Sequence, residues 1–351
     1  MPYLVCYNQL QYHMILSVKK EVSALNSMKN HQILILGWPL RPPQEWLAHY
    51  PEVTAARIYR EDLPRSQKRL KDLSFHMPRA LQFTDSVTPS HWYGDWKEHI
   101  EDYDTVILID EVRGRDVFDY ILSHNPSCNL CAFYDSPVRP GTPKEPSRYT
   151  DMPVHFYTCD RHIAEKYHAD FVPYFYIFSP CDFDAYDTLT QKAYQRDVFF
   201  IGEEKGDRRA RIHDITKVLD QAGLTHELRL VPQNRHRSLF HWHKPASAGY
   251  MPYSVVQERV RTSRAILELI SDGQTGLTQR SFEALFLRKK LITNSPEIKS
   301  YDFYHPQNIF ILGERSLEEL PDFLHSSFHS IAPEIVQQYT LAGWLQHFLH
   351  A

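Results

Sequence analysis

The sequence predicts two α/β domains of similar size facing a cleft, and three observations lead there. Short apolar runs without polar alternation recur along the chain, as in the buried strands of parallel sheets. Helical or loop segments separate them, the alternation of βαβ units. The chain has 351 residues, a length with a prior of two domains. With 42% hydrophobic and 23% charged residues it has ordinary globular composition, not that of a disordered, collagen-like or coiled-coil chain.

The first strand is read at Ile33-Leu34-Ile35-Leu36, closed by Gly37. Residues 1–30 read as an appendage without a catalytic role, with Met28 as an alternative start. Val106–Ile109, Leu130–Tyr134 and Val154–Thr158 are further strands, and the Pro-rich stretch Pro137–Pro153 is a surface loop. These make a first domain over 31–180. Residues 181–196 read as a connection. A second domain over 197–330 starts at Val198–Gly202, followed by a helix bearing Ile212, Ile215, Leu219 and Ala222 on one face. Gly223 stops that helix, and Glu227–Val231 is the next strand. The stripe Val256, Val260, Leu267 and Ile270 predicts one helix over 253–270. A short helix at 281–287 and strands at 290–293 and 308–312 follow. Ile335, Tyr339, Ala342, Leu345 and Leu349 mark a C-terminal helix within 331–351 that packs back across the domains.

Charge and cysteine usage narrow the function classes. Lys and Arg number 39 against 43 Asp and Glu, a net charge of −4, which does not suit a general nucleic-acid binder. Five cysteines (Cys6, Cys128, Cys131, Cys159 and Cys181) point to free thiols in a reducing, cytoplasmic setting. No apolar stretch approaches the roughly 18 residues of a membrane span, and no secretory leader is visible. Twenty histidines form no recognised metal spacing; His241-Trp242-His243 lacks a third ligand.

Three segments can carry chemistry. Gln274-Thr275-Gly276-Leu277-Thr278-Gln279-Arg280-Ser281-Phe282-Glu283 is a Gly-containing loop entering a helix, whose free amides form an anion site. Thr278 can cap the helix or donate to a phosphate. Arg280 can bind phosphate oxygens, and Glu283 can accept both hydroxyls of a ribose. The alternative is a capped helix with a surface Arg–Glu pair. Gly202-Glu203-Glu204-Lys205-Gly206-Asp207-Arg208-Arg209 is a turn at a strand-to-helix junction, where Gly202 lets a pyrophosphate approach and Lys205 or Arg209 neutralises it. The alternative is a solvated charged turn. Asp110, Glu111 and Asp135 stand at strand ends of the first domain, where a carboxylate can act as general base or cap the next helix. His91, Asp95 and His124 rank below them. Trp38 with Pro39, Arg41, Pro42 and Pro43 can line the cleft. The basic, aromatic stretch 235–244 reads as a surface loop or a contact for anionic lipid or glycan.

The pattern Q-x-G-L-T-x-R-x-x-E-A-L at 274–285, then Lys289-Lys290-Leu291-Ile292-Thr293-Asn294, Tyr301–Tyr304 and Asn308-Ile309, resembles bacterial lipopolysaccharide and capsule biosynthesis proteins. That resemblance implies a glycosyltransferase of the GT-B fold, with two Rossmann-like domains. It further implies a nucleotide-sugar donor held in the second domain, with Glu283 on the ribose, and a glycan or lipid-linked glycan acceptor in the first. A metal is not required, no cofactor is implied, and peripheral contact with the inner membrane surface is compatible with such acceptors. The retaining pattern's second Glu, eight positions before Glu283, is Thr275 here, so retention is not implied. Two alternatives share these features: a nucleotide-sugar epimerase, which needs no acceptor, and a non-catalytic glycan- or nucleotide-binding subunit, which needs no base.

Overall fold

The computed structural model describes residues 31–37, 47–48, 50–76, 90–110, 112, 114–176, 194–232, 251–270 and 276–349. The chain divides into two compact units, one of residues 1–174 with 341–351 and one of residues 175–340. The expected appendage (1–30), Trp38 with its prolines, Cys6, Cys181, nearly all of the expected connection at 181–196, and the 235–244 stretch lie outside the described residues.

The first unit is a six-stranded parallel sheet of β1 (Ile33–Leu36), β2 (Val53–Ala56), β3 (Thr105–Ile109), β4 (Asn129–Tyr134), β5 (His155–Thr158) and β6 (Asp170–Phe171), in the order β2-β1-β3-β4-β5-β6. The apolar runs of β1, β3 and β4 are strands because both of their faces are covered: Ile33–Leu36 and Val106–Ile109 are essentially inaccessible. Helices α1 (Arg65–His76), α2 (Asp116–His124) and α3 (Arg161–Tyr167) follow β2, β3 and β5. Asp160 caps α3, accepting from the amides of His162 and Ile163.

The second unit is a five-stranded parallel sheet of β7 (Arg196–Glu203), β8 (His226–Val231), β9 (Ser263–Glu268), β10 (Lys290–Thr293) and β11 (Ile309–Ile311), in the order β8-β7-β9-β10-β11. Counted from its own first strand, the first sheet runs 2-1-3-4-5-6 and the second 2-1-3-4-5, a doubly wound order whose direction reverses between strands one and three. Helices α4 (Arg208–Gln221), α5 (Tyr253–Arg261), α6 (Gln279–Phe286), α7 (Leu320–His325) and α8 (Pro333–Gln338) complete the unit. Gly223 ends α4 as expected: at φ +66° it lets its own amide reach Asp220 O (3.1 Å) and the Leu224 amide reach Leu219 O (2.9 Å).

Two elements differ from the sequence reading. The single helix expected over 253–270 is α5 followed by β9. Its last carbonyls are taken by side chains: Thr262 Oγ1 donates to Glu258 O, Ser263 Oγ to Arg259 O, and Arg196 Nη1 to Arg259 O. Ala265-Ile266-Leu267 then lie buried between β7 and β10, where an apolar run fits a strand as well as a helix. The C-terminal helix is likewise broken. Buried Thr340, whose hydroxyl donates to Gln337 O, separates α8 from α9 (Leu341–Leu345), and residues 346–348 form a 3-10 turn. The segment from 341 packs on the first sheet: Trp344 meets Phe133, Phe348 meets Tyr157, and Asn129 Nδ2 donates to Phe348 O (2.7 Å).

Candidate functional site

Ligands of doubly wound sheets bind outside the carboxyl ends of the strands, and in both units those ends carry polar clusters. In the first unit the chain leaves β3 at Asp110, which adopts φ +55°, a left-handed conformation that Asp tolerates better than most residues. The Asp110 amide donates to Phe133 O (2.9 Å), holding it against β4. Ser136 Oγ lies 2.8 and 2.6 Å from the two Asp110 carboxylate oxygens, and Lys144 Nζ donates to Oδ2 at 2.6 Å. Asp135, immediately beyond β4, faces Asp110 and accepts from the buried Tyr174 hydroxyl. Burial, and next the Asp110 carboxylate beside it, push Asp135 up to about 7, while Lys144 and Tyr174 pull the other way.

The loop that brings Lys144 here is held at several points. Gly141, at φ +77°, donates its amide to Glu145 Oε2 (2.6 Å), Thr142 Oγ1 donates to Arg139 O (2.7 Å), and the fully buried Tyr149 donates its hydroxyl to Pro143 O. The sequence reading placed a surface loop here and did not single out Lys144. A carboxylate at a strand end commonly caps the next helix, and Asp160 does so after β5. Asp110 and Asp135 meet each other instead. Glu111, the third carboxylate of that set, lies outside the described residues. His124 stacks on Tyr120 at the far end of α2 (4.1 Å), and Asp95 lines a cavity with His99 near β2.

In the second unit Thr278 caps α6, its side chain accepting from the Arg280 amide (3.1 Å). Its hydroxyl also donates to Glu268 Oε1 (2.6 Å) at the end of β9. Glu268 is buried and further accepts from Ser281 Oγ (3.0 and 3.1 Å) and Thr293 Oγ1 (2.7 Å). Glu283 is only 1% exposed; one of its oxygens accepts from Tyr253 OH (2.5 Å) and the other from Arg280. The Arg–Glu pair read as a surface alternative is therefore present, with its Glu283 buried and its Arg280 half-buried. Burial and the Glu283 charge drive the Tyr253 hydroxyl far above its ordinary value. Gly276 is buried beside the cap, and Gln274 lies outside the described residues.

The turn after β7 places its charges unequally. Lys205 pairs with Glu203 and Arg209 with Glu204, both at 2.6 Å and on the surface. Arg208, quoted in the sequence but not selected, is the guanidinium at the strand ends. It donates to Glu203 O at the end of β7 (2.9 Å) and to Leu269 O just beyond β9, the two strands that flank the reversal of order. Gly202 lies beside it, and a Cβ there would meet Phe200 Cζ at 2.8 Å, so a side chain would force that ring to shift. The signal for Arg208 lay in β9, which the helix reading of 253–270 concealed.

Cys128, Cys131 and Cys159 are free and buried, and burial pushes the first two up to about 11 and about 12. Among the described residues no group of three or more His, Cys, Asp or Glu could hold a metal ion. Among them too, no helix is long and apolar enough to cross a membrane.

Fold and site together define an α/β protein of two doubly wound units, one carrying a carboxylate pair and the other an Arg–Glu pair with a buried Glu at a capped helix. No family model matches the chain, and no curated protein matches it. Among solved structures it is similar to spinosyn rhamnosyltransferase SpnG, at 11% identity and a TM-score of 0.37, over 91% of this chain and 100% of that one. It is also similar to SpnG complexed with thymidine diphosphate, at 13% identity and a TM-score of 0.39, with the same coverage.

Proposed function

We propose that the chain is a glycosyltransferase that moves a sugar from a nucleoside diphosphate sugar to a hydroxyl of a glycan acceptor. The observation that carries this reading is the Asp110–Asp135 pair at the carboxyl ends of adjacent parallel strands. A carboxyl group that titrates near neutrality is suited to take the proton of an attacking hydroxyl. The second unit supplies the complementary chemistry for the donor. The α6 N-terminus and Arg208 offer positive potential to a diphosphate, Gly202 keeps the approach open, and Gly276, Thr278, Arg280 and Glu283 surround the head of α6. On the surface, Lys205 and Arg209 are within the same turn and would draw the donor in.

In the reaction the acceptor oxygen bonds to the anomeric carbon as the bond from that carbon to the diphosphate breaks. The hydroxyl proton goes to the carboxylate, and the leaving electron pair stays on the diphosphate, stabilised by fixed positive groups. A cavity of 870 Å³ beside β2, lined by Tyr59, Trp96, Arg57, Arg60, Asp62 and His99, offers the mixed aromatic and polar walls that suit a sugar. The sequence resemblance favours a lipopolysaccharide or capsule glycan as acceptor, reached from the cytoplasmic face of the membrane.

The test is thermal stabilisation by UDP, GDP, CMP, ADP and dTDP, followed by turnover of the matching nucleotide-sugars with and without glycan acceptor. A ligand at 100 times its Kd adds about 2.7 kcal/mol to the folded state, a shift of a few degrees. Stabilisation by one nucleotide, with acceptor-dependent turnover, is the expected result. Conversion of the nucleotide-sugar without acceptor would establish an epimerase instead, and no response to any nucleotide would overturn the reading.

A further inference from the structure

The carboxylate pair is not symmetric in its surroundings. Both Asp110 oxygens are engaged by Ser136 Oγ, and Oδ2 also by Lys144 Nζ, which itself lies 3.2 Å from Ser136 Oγ. Asp110, Ser136 and Lys144 thus form a closed triangle, fixed by the left-handed turn at Asp110 and by the pinned loop that carries Lys144. Asp135 touches none of these donors. Among the described residues, the titratable groups that face it are Asp110 from β3, Lys144 from the loop, Tyr174 beyond β6 and Cys159 beyond β5.

We infer that Lys144, with Ser136, is a positioning residue that anchors Asp110 beside Asp135, and that Asp135 accepts and releases the proton of the reacting hydroxyl. This rests on the transferase reading for the identity of the hydroxyl, but the division of roles between the two carboxylates does not. A proton taken up by Asp135 is held between it and Asp110, and leaves to solvent when the product departs. Lys144 touches neither donor nor acceptor in this scheme; its charge acts through Asp110 and, at longer range, on Asp135, which it pulls down.

The experiment compares wild type with Lys144→Met, Lys144→Arg and Ser136→Ala, reading kcat and KM against pH and the carboxyl carbon resonances of the aspartates by NMR without substrate. In Lys144→Met the acid limb of kcat and the resonance that titrates near neutrality both move upward by about one pH unit, so that kcat at pH 7 falls several-fold. KM for the donor stays within about twofold, and Lys144→Arg restores both positions. The near-neutral resonance disappears in Asp135→Asn. An unmoved limb and resonance in Lys144→Met, or a near-neutral resonance that disappears in Asp110→Asn and persists in Asp135→Asn, overturns the inference. If Lys144→Met does not fold, Ser136→Ala, which loosens the same triangle, must move the resonance in its place. Absence of any sugar transfer defeats the transferase reading alone, because the resonances still decide the roles of the two carboxylates.

Discussion

The two sheets share an order, and the ends of their third and fourth strands invite direct comparison. In the second unit the third strand ends on Glu268 and the fourth on Thr293, its partner in register, and the threonine hydroxyl donates to the carboxylate. In the first unit the third strand leads into Asp110 and the fourth into Asp135, so one carboxyl group faces another. Hydroxyls can surround a carboxylate and satisfy it, as Thr278, Ser281 and Thr293 do for Glu268. Burial, and next the neighbouring Asp110 carboxylate, disfavour a second negative charge, and Asp135 accordingly rises to about 7. The same topological position thus fastens a helix to the sheet in one unit and sets two carboxyl groups side by side in the other.

Exchanging these features breaks the comparison at its strongest point first. Asp135→Asn is expected to lower transfer by about 10²–10⁴-fold, the usual contribution of a positioned base, while nucleotide affinity is unchanged in a binding assay. Thr293→Asp builds the first unit's arrangement into the buried interior of the second. It should cost about 3–5 kcal/mol at neutral pH in denaturant titrations, with part of the loss recovered in acid as the new pair takes up a proton. Glu283→Ala would leave the half-buried Arg280 without its carboxylate and Tyr253 without its acceptor, and is expected to destabilise the second unit by a smaller amount, detected as a lower Tm. Glu268→Gln keeps the shape but weakens acceptance from three hydroxyls, a loss of about 1–3 kcal/mol. Arg209→Ala removes only a surface pair, so Tm should not measurably change.

Much of this architecture was legible in the sequence, because buried parallel strands leave short apolar runs and Gly223 leaves an unambiguous helix stop. Strand β9 was not: Val256, Val260, Leu267 and Ile270 fit a helical stripe, and one of the side chains that take the last carbonyls of α5 is Arg196, distant in sequence. Of the site, the strand-end carboxylates and the Thr278 cap were visible as residue types in plausible places. Their environments were not, since no local pattern shows that Lys144 reaches Asp110 or that Tyr253 and Arg280 enclose Glu283. Arg208 stood beside Lys205 and Arg209 with nothing in the spacing to separate a half-buried guanidinium on the strand ends from two surface cations.

The pH dependence of unfolding free energy in wild type and Asp135→Asn tests the central claim most directly. Asp135 is raised from an ordinary value of 3.8, so the folded chain holds a proton that the unfolded chain has already released. The stability contributed by the protonated pair is full below about pH 4 and is lost as pH rises through about 7. Relative to Asp135→Asn, wild type should therefore weaken steadily across that window and level off above it. The total is up to about 4 kcal/mol, less where solvent reaches the half-buried pair. A difference that is flat with pH, or one in which wild type gains on the variant as pH rises, would contradict a proton held on Asp135 beside Asp110.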